Sequence, residues 1–323
     1  MTTEQKNQVI EALNDYSKDK GMGVSALAKF TGVNERYVSE ILRGAHYTKV
    51  KDKDTLIADR WFKELADKIG FRLEKVYWET VTETPQFQAS INFLVDAKNK
   101  GTSGMLIGDT GLGKTDAVNK FINRFPQHTY RLTVNKLYTL PYIIERLLKT
   151  FGLPEKGSAA AKLDSIIDYL IKLKHDGAKP LIIFDEAENF KMPVFGMVKA
   201  LFDGLFKYCP IVLIGTTELT DKMNRLKRKN KDGMPQFCRR FKAGTRYLKA
   251  IDPRKDFEPF FAMTGVSDKG LQQLLISEAD NYGELNNYLE PALRAADEEG
   301  RELDEEYFRL IYNMPKISKN GPY

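Results

Sequence analysis

The spacing of apolar positions changes along the chain and divides it into three parts. Residues 1–70 carry apolar side chains at helical spacing in several short segments. Residues 89–251 alternate short apolar runs with helix-length segments, and residues 252–314 return to a helical period. The polar stretch 71–88 is predicted to connect the first two parts, and residues 315–323 to form a flexible tail.

Five short apolar runs in the central part have the length and composition of buried strands. They are residues 103–108, 129–134, 180–185, 210–215 and 245–251. Helix-length segments separate most of them, which is typical of a parallel sheet covered by helices on both faces. The predicted fold class is therefore α/β, with an all-α unit before the sheet and a helical unit after it.

Residues 24–44, VSALAKFTGVNERYVSEILRG, have the layout of a helix-turn-helix. Gly32 can supply the backbone freedom of the turn, and Asn34 is a good N-cap for the second helix. A three-helix bundle used for protein contacts has the same pattern, and the charges of this segment nearly cancel, so both interpretations stay open. If the second helix enters a DNA groove, the residues facing the DNA are Asn34, Glu35, Arg36, Tyr37, Ser39, Glu40 and Arg43.

Composition places the chain among ordinary globular proteins. Its 323 residues are 42% hydrophobic, enough for two or three domains with buried cores. We find no apolar run long enough for a membrane span, and the N-terminal segment is too polar for a secretory signal, so a cytoplasmic location is expected. Cys209 and Cys238 stand alone and the three histidines are scattered, which suggests neither a disulfide framework nor a zinc cluster.

Charge is concentrated in one segment. The net charge is +6, but residues 219–249 contain eleven basic residues against two acidic ones, while the chain after residue 250 is acidic in balance. This asymmetry suits a polyanionic partner for one face of the protein. The candidate DNA-binding residues of this basic segment are Lys222, Arg225, Lys227, Arg228, Lys229 and Lys231. The helix-turn-helix adds Arg36, Tyr37, Ser39 and Arg43.

The segment GDTGLGKT, residues 108–115, has the spacing of a P-loop. In such a loop the backbone N–H groups and the following helix N-terminus cradle phosphate oxygens, and the segment lies between a predicted strand and a predicted helix, as the motif requires. Lys114 would reach the β- and γ-phosphates, and Thr115 would bind Mg²⁺. The candidate nucleotide-binding residues are Gly108, Asp109, Thr110, Gly111, Leu112, Gly113, Lys114, Thr115 and Asp116.

Two further segments complete a candidate catalytic site. LIIFDEAE ends a predicted strand at Asp185, which is suited to hold Mg²⁺ through its water shell. Glu186 follows and is placed to orient or deprotonate the attacking water. IVLIGTTEL ends another strand at Thr216 and Thr217, whose hydroxyls could contact the water or the γ-phosphate, and position favours Thr216.

The sequence also indicates which base is bound. GTP-specific P-loop proteins use an N-K-x-D sequence, and the Asn-Lys pair at 135–136 lacks the aspartate. Adenine is therefore favoured, and ATP with Mg²⁺ is the expected cofactor. DEAE is similar to the DEAD-box helicase motif, but two tandem motor domains would not fit in this length beside an N-terminal domain.

FCRRF, residues 237–241, places a pair of arginines late in the central part. Arg239 or Arg240 could neutralise transition-state charge, commonly on the nucleotide of a neighbouring subunit, which would make hydrolysis depend on oligomerisation. Both could instead belong to the basic DNA-facing stretch. These alternatives stay open at the level of sequence.

Taken together, GDTGLGKT, IIFDEAE, LIGTTEL and FCRRF resemble the motifs of an AAA+ ATPase, with residues 89–251 as its core and 252–314 as its helical lid. With the helix-turn-helix ahead and the connector YWETVTETPQF, the chain resembles the phage Mu B transposition protein and related AAA+ transposon target-selection ATPases over nearly its full length. The resemblance implies an ATPase that forms a helical filament on double-stranded DNA with little sequence preference. It implies delivery of that DNA to a transposase, disassembly upon hydrolysis, and a bacterial prophage or transposon as the source.

One position departs from that family, and two rival functions stay open. The family often carries a lid arginine in a Gly-x-Leu-Arg setting, whereas GELN at 283–286 places Asn286 there, with Arg294 two helical turns further.

A helicase loader or replication initiator shares the AAA+ core. A transcriptional regulator would use the helix-turn-helix to read an operator, with ATP setting its conformation.

Overall fold

The structure is a computed structural model and describes residues 1–50, 53–71 and 75–315. The chain divides into two compact units, Met1–Glu79 and Thr80–Tyr323. Of the tail predicted at 315–323, all but Pro315 lies outside the described residues. None of the helices in the described ranges combines the length and apolar character that a membrane span requires.

In the described part of the N-terminal unit, four helices surround a small core. They are α1 (Thr3–Lys20), α2 (Val24–Thr31), α3 (Glu35–Leu42) and α4 (Asp59–Ile69). Their apolar faces meet around Leu13, Leu27, Ile41 and Phe62. The helices α2 and α3 lie where the apolar spacing predicts them. Gly32 has a φ of +77° at the turn, and the Asn34 side chain caps α3 by accepting the Arg36 N–H at 3.0 Å.

A two-stranded antiparallel hairpin, β1 (Tyr47–Val50) and β2 (Lys53–Leu56), lies between α3 and α4. It differs from the all-α unit that the sequence analysis predicts. The strands are short and rich in lysine and aspartate, which hides the period of two. The β-branched residues that face each other across the hairpin, Thr48 and Thr55, are the sequence signal for strands that we missed.

An ion pair between Lys6 and Asp59 joins α1 to the start of α4. The Lys6 side chain is buried, and its Nζ lies 2.7 Å from Asp59 Oδ1. Hydrogen bonds from Lys6 and from the amine of Met1 lower the pKa of Asp59 to about 2. The unfolded pKa is about 4, so this pair stabilises the unit above pH 4 and loses its effect as the pH falls toward 2.

Asp59→Asn is expected to lower the free energy of unfolding of this unit at neutral pH, because the buried Lys6 ammonium would lose its partner. The loss should be about 1–3 kcal/mol, toward the lower end because Asp59 is itself 43% exposed. The difference from wild type should shrink as the pH falls from 4 to 2. Urea unfolding, followed by the fluorescence of Trp61 and Trp78, measures the free energy of unfolding. Asp19→Asn, a change of an exposed carboxylate, is the control. A difference from wild type that does not depend on pH would contradict the role of the Lys6–Asp59 pair.

The second unit contains a five-stranded parallel sheet, which confirms the predicted fold class. The strand order is β4-β5-β6-β3-β7. The strands are β3 (Gly104–Ile107), β4 (Thr129–Thr133), β5 (Leu181–Asp185), β6 (Ile211–Gly215) and β7 (Thr245–Tyr247). The helix α5 (Pro85–Lys100) precedes β3, and the elements between the strands are α6 (Lys114–Arg124), α7 (Leu140–Phe151), α8 (Ala159–His175), a 3₁₀ turn (Ala187–Asn189), α9 (Met192–Gly204), α10 (Thr217–Arg228) and α11 (Met234–Lys242).

Successive side chains of the central strands enter two different cores, one on each face of the sheet. On β5, Ile182 and Phe184 pack in one core, and Leu181 and Ile183 pack in the other. This is why the central strands are continuous apolar runs rather than alternating ones. Two boundaries differ from the predictions: α5 begins at Pro85, inside the predicted connector, and β7 ends at Tyr247, opposite Ile107, the last residue of its partner strand β3.

Between β7 and residue 315, where the described part of the chain ends, five helices form the predicted helical region. They are α12 (Pro253–Asp256), α13 (Glu258–Thr264), α14 (Lys269–Glu278), α15 (Tyr282–Glu298) and α16 (Glu305–Ile311). The N-terminus of α15 contacts the P-loop: a Cβ added to Gly111 would overlap the Asn281 side chain, which caps that helix. The lid therefore touches the loop through residues that differ from the expected arginine position.

Candidate nucleotide site

The predicted site residues lie at the carboxyl ends of three neighbouring strands. The parallel register pairs Ile107 with Gly215 and Phe184 with Leu213, so β5, β6 and β3 end at the same edge of the sheet. The P-loop follows β3, Asp185 ends β5 and Thr216 follows β6. The structure thus brings together three segments that lie far apart in the sequence.

The P-loop holds the Lys114 ammonium among loop carbonyls and carboxylates. Lys114 Nζ donates hydrogen bonds to the carbonyl oxygens of Gly108 and Asp109, each at 2.6 Å. Burial lowers the pKa of Lys114, and the nearby carboxylates of Glu188, Asp185 and Asp109 oppose this shift. Lys114 begins α6, and Thr115 and Asp116 are exposed in its first turn. The ammonium and the helix N-terminus together favour an anionic ligand.

Asp185 is buried and is held by an arginine that the sequence analysis missed. The side chain is 4% exposed, and Arg131 Nη2 donates to Asp185 Oδ2 at 2.6 Å. Arg131 also donates to Asn119 Oδ1 of α6 at 2.6 Å, so it ties the P-loop helix to β5. A charged residue inside the predicted strand TYRLTV, residues 129–134, was the available signal.

Glu186 has a backbone conformation that is unusual for a residue with a side chain. Its φ is +56°, in the left-handed region, and such strained positions cluster at functional sites. Its Oε2 accepts a hydrogen bond from Asn189 Nδ2 at 3.3 Å. Partial burial, and then the charges of Asp185 and Glu188, raise the pKa of Glu186. A carboxylate with a raised pKa is a better proton acceptor than an ordinary one.

Two buried oxygen atoms beside this turn have no hydrogen-bond partner among the described residues. They are Oγ1 of Thr216, which lies at the N-cap of α10, and Oε2 of Glu188. The Glu188 carboxylate lies against β6, since a Cβ added to Gly215 would be 2.7 Å from Glu188 Oε2. Buried polar atoms without partners are costly, so these two fit a polar ligand such as a phosphate with its cation and water. Thr217 is exposed and begins α10.

The two arginines of α11 have different surroundings. Arg240 forms a double hydrogen bond with Asp203 of α9, with Nε–Oδ1 at 2.6 Å and Nη2–Oδ2 at 2.7 Å. Arg239 is exposed and lines a cavity of about 520 Å³ with Lys227 and Lys242. No hydrogen bond or ion pair joins Arg239 to another residue in the described part of the chain. Arg240 is therefore held by Asp203 of the same chain, whereas Arg239 has no such partner among the described residues.

The lid position at which the resembling family often carries an arginine is occupied by an asparagine in this chain. Asn286 lies on α15 with its Oδ1 buried and without a partner among described residues, while Arg294 forms an ion pair with Glu290 at 3.6 Å. Tyr282 donates to Gln86 Oε1 at 2.7 Å and so ties α15 to the start of α5. These contacts join distant segments, so the sequence does not reveal the roles of Asn281, Tyr282 and Gln86.

The candidate DNA-binding residues of the basic segment lie on more than one surface. Lys222 and Arg225 face the 3₁₀ turn, whereas Lys227 faces α11. Arg228, Lys229 and Lys231 are exposed at and after the end of α10.

The candidate residues of α3 also differ in accessibility. Arg36 and Arg43 are exposed, and Ser39 is half-buried. Tyr37 stacks on Trp61, with 5.5 Å between ring centroids, so its ring is partly used in packing. DNA contact by α3 stays a prediction.

Residues 97–223 match a family model described as an AAA domain. This match, the P-loop between β3 and α6, and the parallel sheet show that the chain has the AAA+ P-loop fold. No curated protein matches the sequence.

Three solved archaeal structures have a similar fold. The ORC2 protein of Aeropyrum pernix, solved with ADPNP and ADP, has a TM-score of 0.52 at 15% identity, covering 71% of this chain and 66% of its own. Cdc6p of Pyrobaculum aerophilum has a TM-score of 0.53 at 14% identity, covering 70% and 66%. The ORC1 protein of Aeropyrum pernix, solved in complex with DNA, has a TM-score of 0.53 at 14% identity, covering 75% and 67%. The chain thus spans just under two thirds of the first two, and the likeness concerns the fold.

Proposed function

We propose that this protein is an ATP-hydrolysing AAA+ protein that binds double-stranded DNA with little sequence preference. It oligomerises on target DNA, delivers that DNA to a transposase, and uses hydrolysis to control disassembly. The observation that carries the ATPase proposal is the meeting of Lys114, Asp185, Glu186 and Thr216 at the ends of three adjacent strands.

Each residue at this edge has a role in the proposed hydrolysis. The loop from Gly108 to Asp116 cradles the phosphates, and Lys114 neutralises their charge. Thr115 and Asp185 would hold Mg²⁺, which supplies charge neutralisation at the phosphates when bound. Glu186 takes a proton from the attacking water, and the Thr216 hydroxyl orients that water or the γ-phosphate.

The proposed DNA affinity comes from cations that neutralise phosphates, an interaction that is strong and carries no sequence information. The exposed cations at the end of α10 are the main candidates outside the nucleotide site. The resemblance of the motif order to target-selection ATPases supports delivery to a transposase as the purpose of this binding.

Reversing the charge of Lys227, Arg228 and Lys229 together is expected to weaken binding to all duplex sequences alike. The slope of log affinity against log salt should fall by about 3, one for each DNA phosphate that is no longer neutralised. Fluorescence anisotropy with two unrelated duplexes measures both quantities. Reversal of Lys149, Lys172 and Lys174, on α7 and α8, is the matched control; equal affinities for the two triple variants move the DNA surface elsewhere.

Electron microscopy with random-sequence duplex DNA tests the assembly. Filaments that coat DNA with ATP, and not with ADP or without nucleotide, are the expected result. Discrete particles at a few sites, or coating that is independent of nucleotide, contradict the filament proposal.

A replication initiator or helicase loader is the second candidate, and the fold shared with the ORC1, ORC2 and Cdc6p structures favours it. The two functions differ in what the DNA complex recruits. An initiator or loader increases the loading of a helicase, whereas a target-selection ATPase stimulates strand transfer by a transposase into the coated DNA. Binding to one site at high salt would instead indicate a transcriptional regulator.

A further inference from the structure

A groove against the edge strand β7 is separate from the nucleotide site. It has a volume of about 810 Å³ and is walled by α5, by the turn between α9 and β6, and by the residues that lead into and out of β7. Among the described residues that line it there is none of the P-loop, and Glu186 is also absent. Apolar side chains from all three walls line the groove, among them Phe93, Phe206 and Leu248.

The strand β7 has a free edge beside this groove. It pairs with β3 on one side, and the structure describes no strand on its other side. The Gly244 carbonyl accepts the Met105 N–H at 3.1 Å, and the Leu248 N–H donates to the Ile107 carbonyl at 2.7 Å. Backbone groups of successive strand residues point to alternate sides, so the N–H and C=O of Tyr247 point away from β3. These two groups are therefore available to a further strand.

Exposed aromatic rings line the same groove. Phe206 is 59% exposed, although its ring centroid lies 6.2 Å from that of Phe202, which packs on the buried Phe241. Lys207 follows with a φ of +69°, and its Nζ lies 5.6 Å from the centroid of the Phe206 ring. The side chain of Tyr247 on β7 is 65% exposed. Rings that are held by their neighbours and still exposed are typical of a surface that packs against a partner.

The charge around this groove is mainly positive. The cations that line it are Lys100, Lys207, Arg240 and Arg246. Asp96, the one carboxylate among the described lining residues, forms an ion pair with Lys100 at 2.9 Å, and a carboxylate of α9 pairs with Arg240. The Arg246 guanidinium donates to nearby backbone carbonyls, and in the described part of the chain no ion pair joins Lys207 or Arg246 to a carboxylate. Two cations without a counter-charge beside exposed rings fit a ligand that is both acidic and apolar.

We propose that the free edge of β7 binds an extended acidic segment of a partner protein, which adds a strand to the sheet. The backbone of the segment forms hydrogen bonds with the N–H and C=O of Tyr247, and main-chain bonds of this kind supply affinity in strand addition. Acidic side chains of the segment pair with Lys207 and Arg246, and a bulky apolar side chain packs on Phe206.

The same features favour a peptide over DNA as the occupant. A DNA duplex keeps its bases stacked inside, so it would use the cations and leave the exposed rings and the strand edge uncovered. The groove also lies outside the nucleotide site and contains none of the cations proposed above for DNA. The inference therefore goes beyond the proposed function and does not depend on it.

Binding of a labelled peptide to the full chain tests this surface. The probe is fluorescein-labelled EEFLEEFL, in which each face of the extended peptide carries acidic and apolar side chains, and KKFLKKFL is its charge-reversed control. Fluorescence anisotropy should show saturable binding of the acidic peptide and binding of the basic one that is weaker by about tenfold or more. Equal affinities, or no saturable binding of the acidic peptide, overturn the inference.

The charge reversal Lys207→Glu with Arg246→Glu locates the binding site. The acidic peptide should bind about tenfold or more weakly than to wild type, and the basic peptide more tightly, a gain that a misfolded variant would not show. Phe206→Ala should weaken the acidic peptide and keep the preference for acidic over basic, because only the apolar contact is lost. Lys172→Glu with Lys174→Glu on α8 is the matched control. A Lys207–Arg246 reversal that leaves both affinities unchanged overturns the inference.

Methylation of every backbone nitrogen of EEFLEEFL tests the added strand. This change keeps the charges and the apolar side chains and removes the N–H donors that a strand ladder needs. The methylated peptide should lose saturable binding. An affinity equal to that of the unmodified peptide would mean that side chains alone hold it, and would overturn strand addition.

Two other occupants of the groove would give different results. A double reversal that weakens binding of a random-sequence duplex and leaves the acidic peptide unaffected assigns the groove to DNA and overturns the inference. A reversal that changes the sedimentation coefficient of the protein alone, with no peptide binding to wild type, assigns the groove to a contact between copies of this chain and also overturns it. If wild type binds the acidic peptide but no duplex with ATP, the proposed function fails and this inference stands.

Discussion

Glu186→Gln is expected to slow ATP hydrolysis by about 10²–10⁴-fold while ATP and DNA still bind. Glutamine keeps the shape of the side chain but cannot take the proton of the attacking water. The Asn189 amide can still donate a hydrogen bond to the side-chain oxygen of this glutamine, so the geometry of the turn should persist. The variant should therefore form DNA complexes with ATP that dissociate far more slowly than those of wild type.

Two measurements check this prediction. Steady-state phosphate release gives the hydrolysis rate, and competitor-chase anisotropy gives the lifetime of the DNA complex. Glu155→Gln, an exposed change in the same unit, is the control. Rapid release of DNA from the Glu186 variant in ATP would assign the base elsewhere.

The raised pKa of Glu186 adds a pH dependence. A base works only when deprotonated, so wild-type hydrolysis should decline on the acid side at a higher pH than an ordinary glutamate would give. The Glu186→Gln variant should lack this decline.

Arg239→Ala is expected to reduce hydrolysis by about 10³-fold in the assembled protein, the effect typical of an arginine that stabilises the transition state from a neighbouring subunit. Arg239 is exposed and without a partner among the described residues, so it is available to a second copy. Arg240 is tied to Asp203 by two hydrogen bonds. Arg240→Ala should instead lower the thermal midpoint, because it leaves the Asp203 carboxylate without its partner.

Mixing variants tests whether Arg239 acts on a neighbour. A Lys114→Ala subunit has a defective nucleotide site and an intact Arg239, and an Arg239→Ala subunit has the reverse. Neither should hydrolyse ATP at an appreciable rate alone, and a mixture should recover part of the activity at mixed interfaces. A mixture as inactive as its components, or an Arg239→Ala variant with wild-type activity, contradicts an arginine supplied by a neighbour.

Much of the fold could be predicted from short segments of sequence. The strands β3, β5 and β6 are buried on both faces and appear as continuous apolar runs, which the local pattern alone reveals. Gly32 and Asn34 marked the turn before α3, because left-handed backbone and capping are properties of single residues. The hairpin between α3 and α4 was missed because its four-residue strands are too short and too charged to show a period.

The candidate site could be predicted from the sequence only in part, because some of its contacts join residues that are distant along the chain. The P-loop and the pair Asp185–Glu186 are local motifs, and parallel strands bring their ends to one edge of a sheet. The roles of Arg131 and Asn189 depend on side chains that meet across strands and turns, and no spacing rule encodes such a meeting.

The sequence by itself therefore determined the class of sheet, the P-loop and the carboxylates at the strand ends, because backbone conformation and burial are specified over a few neighbouring residues. Only the tertiary structure decided that Arg131 holds Asp185, that Arg240 is paired while Arg239 is not, and that Asn281 lies on the P-loop. These contacts join positions that are far apart in the chain. Their energies depend on distances of a few ångströms, which are fixed only when the strands and helices pack together.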